Sequence, residues 1–157
     1  MLEALGQEDV LRAFFGVYLT HLGAQAREEA NILIDSTGLP NGIRFPLTAI
    51  SNHNGEISEE VRLIYVVQQG TRLPIYMRYV PGNVVDTTTL ITTIKELKAM
   101  EVNTKFAILD AGYVTEEGLR QLYDDNISFI TRCPTNRTIY TQNLGPVGCI
   151  TNRFLIS

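Results

Sequence analysis

Two short apolar runs, Ile32-Leu33-Ile34 and Ala107-Ile108-Leu109, each lead straight into an aspartate, Asp35 and Asp110. Apolar runs of this length without polar alternation predict strands covered on both faces. Small residues follow each acid at once, Ser36-Thr37-Gly38 and Ala111-Gly112, and predict that both strands end there. A carboxylate placed where a strand leaves the core is costly unless something positive compensates it. Two such acids set side by side by strand pairing repel each other unless a divalent cation lies between them. The pair therefore predicts a metal site suited to phosphate chemistry.

The pattern around the two runs supplies the remaining elements. From about Gln7 to Ala30, Val10, Leu11, Phe14, Phe15, Tyr18, Leu19 and Leu22 recur at helical spacing. Asn31–Ser36 is the first strand. Pro40 to Glu59 reads as a long irregular stretch with Asn41-Gly42 and Asn54-Gly55 turns. Glu60–Gln68 and Arg72–Val80 alternate as two arms of a hairpin around Gly70. Pro74 cannot donate to a ladder, so its strand is expected at an edge or distorted there. Asp86 is the expected N-cap of a helix reaching about Met100, with Leu90, Ile91, Ile94 and Leu97 as its buried stripe. Lys105–Asp110 is a strand, Thr115 opens a helix to about Asp125, and Ile127–Arg132 is a further strand. Beyond Pro134 the pattern fades into loop. The expected division is a helical segment at 1–30, a core at 31–134 and an irregular tail at 135–157. This order predicts an α/β fold, a mixed sheet flanked by helices, with sites at the carboxyl ends of its parallel strands.

At 157 residues the chain is long enough for one domain with a substantial core. A hydrophobic fraction of 45% and a charged fraction of 19% fit a globular protein and argue against disorder. A net charge of −4 does not announce a nucleic-acid binder. Its distribution is uneven: no acid follows Asp125, whereas Arg132, Arg137 and Arg153 do, a mildly basic strip that can face phosphate. Cys133 and Cys149 lack zinc-site spacing and are expected as free thiols in a reducing compartment. No secretory signal pattern and no apolar run of about 18 residues is present, so a cytoplasmic protein with no membrane partner is expected.

Three segments together resemble the DDE transposase catalytic domain of bacterial insertion sequences. Ile32 to Pro40, with Asp35, is similar to its first acidic motif. Arg78 to Asp86, containing Pro81-Gly82-Asn83 and followed by Leu90, is similar to its Pro-Gly-Asn-x-x-Asp-x-x-x-Leu connector. Phe106 to Tyr113, with Asp110-Ala111-Gly112-Tyr113, is similar to its second acidic motif. The resemblance spans roughly Asn31 to Pro134. It implies a ribonuclease-H-like fold, here incomplete at the C-terminus. It also implies Mg²⁺-dependent cutting and joining of DNA at transposon ends by a two-metal site. Asp35 and Asp110 match the first two catalytic, metal-binding acids, and Mg²⁺ prefers such hard oxygen ligands. DNA is the implied partner, with other transposase chains as further partners.

The resemblance also implies a third acid, a Glu on a later helix within a Tyr…Arg…Glu…Lys pattern. This sequence has no Glu after Glu117. The expectation is therefore a transposase catalytic-domain fragment, inactive alone. The alternative is a non-catalytic truncated protein that binds DNA or associates with a transposase. A third reading, a phosphatase-like hydrolase with Asp35 as nucleophile, fits the long stretch and hairpin after Asp35 poorly.

Overall fold

The computed structural model describes residues 7–28, 30–42, 45–53, 56–84, 88–113, 115–132 and 153–156. Among the described residues, three α-helices and one seven-stranded sheet follow in chain order. Helix α1 spans Glu8–Leu22 and is followed by β1 (Ala30–Pro40), β2 (Ala49–His53), β3 (Glu56–Gln68) and β4 (Pro74–Pro81). Then come α2 (Leu90–Ala99), β5 (Thr104–Leu109), α3 (Glu116–Asp124), β6 (Ser128–Arg132) and β7 (Arg153–Ile156). The sheet is mixed and runs β2-β3-β1-β5-β6-β7, with β4 also paired to β3. Glu60 pairs with Pro40 on one side and Ala49 on the other, while Val61 pairs with Leu39 and Pro81. Strands β2 and β4 therefore follow one another along the outer edge of β3. Pro74 stands on that outer strand, beside a register shift at Val66 and Val67, where a missing N–H costs least.

The helices share one face of the sheet. The Phe15 ring of α1 lies 6.0 Å from that of Tyr76 on β4, and Arg12 makes a two-pronged ion pair with Glu96 of α2 at 2.9 Å. Helix α3 contacts α2 and β6. Beneath them lie Ile32, Ile34, Ile64, Val66, Ala107, Leu109 and Phe129, all buried and all on the covered side of their strands. On the opposite side Leu33, Leu39, Ile50 and Ile57 are exposed, and Leu63, Tyr65 and Ile108 are half-buried. In β3 the more apolar set, Leu63, Tyr65 and Val67, is thus not the covered one. Arg62 and Gln68 lie on the helix-covered side instead and are buried.

Several expected boundaries move, each for a physical reason. Strand β1 does not end at Asp35 but continues to Pro40, because β3 pairs with it antiparallel all the way to Glu60. Of the small residues after Asp35, Gly38 packs against Glu60. A Cβ at Gly38 would lie 2.5 Å from the Glu60 carboxylate, which is buried against it. The stretch expected to be irregular before Glu59 holds β2 and the start of β3. The first helix ends at Leu22, where Gly23 adopts φ 82°, a left-handed conformation that stops a helix. Thr89 occupies the cap position of α2, and Asp86 lies outside the described residues, as do Cys133 and Cys149. Beyond Pro134, where only loop is expected, β7 pairs antiparallel with β6.

Candidate active site

The sheet brings the two predicted acids together through register. Strands β1 and β5 run parallel, with Ile32 beside Ala107, Leu33 beside Ile108 and Ile34 beside Leu109. Asp35 is the next residue of β1, and Asp110 is the first residue past the end of β5. Neighbouring strands are about 4.8 Å apart, so the two acids stand side by side on the face away from the helices. Here β1 loses its parallel neighbour: β5 stops at Leu109, and a 3₁₀ turn of Ala111–Tyr113 carries the chain away. That turn is fixed at both ends. The Asp110 carbonyl accepts the Tyr113 N–H at 3.1 Å, and the Tyr113 side chain is buried in the core. Tyr113 thus packs beside the site.

The two carboxylates have different surroundings. Asp35 is half-buried and each of its oxygens accepts a hydrogen bond. The Ser36 N–H reaches Oδ1 at 2.8 Å and the Tyr65 hydroxyl reaches Oδ2 at 2.9 Å. Tyr65 stands directly across from Asp35 in the antiparallel pairing of β1 with β3. The bond to Asp35, burial and the charge of that carboxylate hold the Tyr65 phenol above its ordinary value of 10.0, so it remains a donor. Asp110 is 60% exposed, and the Arg132 guanidinium at the end of β6 lies 3.7 Å from its Oδ1. Thr131, next to Arg132, donates from its hydroxyl to the Asp110 carbonyl at 3.4 Å.

Two adjacent carboxylates repel by about 1–3 kcal/mol at a separation of about 5 Å, depending on how much water screens them. A positive charge at this point is therefore favoured. Arg132 supplies one beside Asp110. A divalent cation would suit the same donors, since carboxylates offer hard oxygens, although each oxygen of Asp35 already accepts one hydrogen bond. Among the described residues no group of three or more His, Cys, Asp or Glu side chains could hold a metal ion. No helix among the described residues is long and apolar enough to cross a membrane.

Tyr65 is the site residue that sequence reasoning misses. Its place in an alternating strand is visible, but the register that sets it opposite Asp35 is not.

A family model described as the transposase DDE domain matches residues 28–155. Among solved structures, a piggyBac transposase synaptic complex with hairpin DNA is similar, with a TM-score of 0.53 and 16% identity. That alignment covers 76% of this chain and 27% of the piggyBac chain. A Drosophila P element transposase strand transfer complex aligns with a TM-score of 0.35 and 14% identity, over 66% of this chain and 22% of that one. At 16% identity the piggyBac likeness speaks for the fold alone, and this chain spans about a quarter of that transposase's length. No curated protein matches the chain.

Proposed function

Because the chain belongs to the transposase DDE domain family, we propose that Asp35 and Asp110 are two carboxylates of a divalent-metal site that cuts and joins DNA at transposon ends. The observation that carries this reading is the register of β1 and β5, which sets the two acids side by side one residue beyond Ile34 and Leu109. Asp35, held by two donors, presents a fixed carboxylate, and the exposed Asp110 presents an adjustable one. Mg²⁺ is the proposed metal, since it binds few protein carboxylates and keeps several waters. When bound, it lowers the barrier to phosphodiester exchange by stabilising the attacking and leaving oxygens.

The roles of the chain's own residues follow from their positions. The two aspartates hold the metal, and Arg132, 75% exposed at the rim, meets a backbone phosphate of the DNA. DNA and further transposase chains are the proposed partners, in the cytoplasm. Titration with Mn²⁺, followed by the electron paramagnetic resonance of the free ion, tests the reading. Wild-type protein should take up Mn²⁺, with affinity lowered at least about tenfold in Asp35→Asn and in Asp110→Asn. Equal uptake by all three proteins, or none by the wild type, would sink it.

A further inference from the structure

We propose that Tyr65 is a positioning residue, which holds the Asp35 carboxylate in the orientation that accepts the metal. The inference rests on the metal-site reading above and adds to it a residue outside both acidic motifs. Three observations carry it. First, Tyr65 lies across from Asp35 by backbone register, so the contact does not depend on a mobile loop. Second, its hydroxyl donates to Asp35 Oδ2 at 2.9 Å while the Ser36 N–H donates to Oδ1 at 2.8 Å. Two donors on two oxygens fix the carboxylate plane. Each carboxylate oxygen has about two acceptor positions, so one on each remains for a cation. Third, Asp110 lacks this arrangement: it is 60% exposed, and Arg132 at 3.7 Å is beyond hydrogen-bond distance. One ligand is preset and the other adjusts to it. Outer-shell donors of this kind fix the ligand they touch, and losing one costs about 10–100-fold in metal affinity.

The test compares wild type, Tyr65→Phe and Asp35→Asn in the same Mn²⁺ titration, with thermal melting of each. Tyr65→Phe keeps the ring and deletes only the donor. It should melt cooperatively and bind Mn²⁺ about 10–100-fold more weakly. A side chain that merely packs would leave the affinity of the folded protein unchanged. If Tyr65→Phe binds like wild type while Asp35→Asn does not, the positioning role is overturned and the metal site stands. If Asp35→Asn binds like wild type, the metal-site reading fails, and this proposal fails with it. Should Tyr65→Phe not melt cooperatively, wild-type protein with ¹³C at tyrosine Cζ decides. Added Mg²⁺ should shift the Tyr65 resonance in step with the Ser36 amide, and a Tyr65 resonance that stays put while Ser36 moves overturns the proposal.

Discussion

Ile34 and Leu109 lie beside each other in the parallel pairing of β1 and β5, both buried on the helix-covered face, one residue before the two carboxylates. Their packing therefore fixes how the strands sit where Asp35 and Asp110 meet. Truncating Leu109 to Ala opens a cavity there and should cost about 2–5 kcal/mol in urea unfolding. It should also weaken Mn²⁺ uptake by the molecules that remain folded. Leu97→Ala is the control: Leu97 is equally buried, but on α2, and its loss should lower stability similarly without altering uptake. If the two variants bind Mn²⁺ alike, the core beneath the acids does not set their spacing.

Gly82 belongs to the Pro81-Gly82-Asn83 connector, yet no positive φ is the reason for glycine there. A Cβ at this position would stand 2.4 Å from the Glu60 backbone carbonyl oxygen and 2.8 Å from its carbon. Those atoms belong to β3, which pairs with β1 and β2 at Glu60, and they cannot yield. Replacing glycine by alanine gains about 0.4–1 kcal/mol by restricting the unfolded chain. Overpacking against backbone costs about 1–3 kcal/mol or more, so the clash should win. Gly82→Ala should be less stable than wild type in chemical denaturation; a more stable variant would show that the connector can move off Glu60.

Asp125, just past α3, carries a pH-dependent contribution. Burial pushes its carboxyl up, but hydrogen bonds from Lys98 and Gln121, with the charges of Lys98 and Lys95, outweigh burial and leave it below the usual 3.8. A carboxyl lowered by folding stabilises the native state at pH values above its unfolded value. That contribution disappears as pH falls through the lowered folded value. Asp125→Asn should therefore be less stable than wild type at pH 7, by about 0.2–1 kcal/mol for a partly exposed pair. The two unfolding curves should converge as pH falls below that lowered folded value. A difference that persists unchanged into acid would assign the effect to packing.

How much of this was legible in the sequence depends on what each position faces. Ile32 to Ile34 and Ala107 to Leu109 read as strands because burial leaves no polar alternation. Thr115 read as a helix start because its hydroxyl accepts the Gly118 N–H, a local contact. Contacts made across the sheet were not legible. The small residues after Asp35 looked like a strand end, but Gly38 among them lies against Glu60, which is distant in sequence. Strand β2 escaped notice because Ser51, Asn52 and His53 give it little apolar contrast, while Ile50 is exposed. Tyr65 could not be linked to Asp35 without the register of β1 and β3. The acids could be found as residues, whereas their partners required the fold.

Arg132 closes β6 beside Asp110, and its guanidinium is 75% exposed. Among the described residues its ion partner is Asp110 at 3.7 Å, and the exposed guanidinium can turn toward a phosphate that approaches the two acids. A single phosphate contact to duplex DNA contributes about 0.9 to the slope of log affinity against log salt. Arg132→Ala should therefore weaken duplex binding to a similar degree for any sequence and lower the salt slope by about 1. Arg120→Ala serves as the control: this exposed arginine is paired with Glu116 within α3, and its loss should leave the slope unchanged. Fluorescence anisotropy across a salt series reads both. Equal slopes for wild type and Arg132→Ala would remove Arg132 from the DNA contact and leave it as a counter-charge to Asp110.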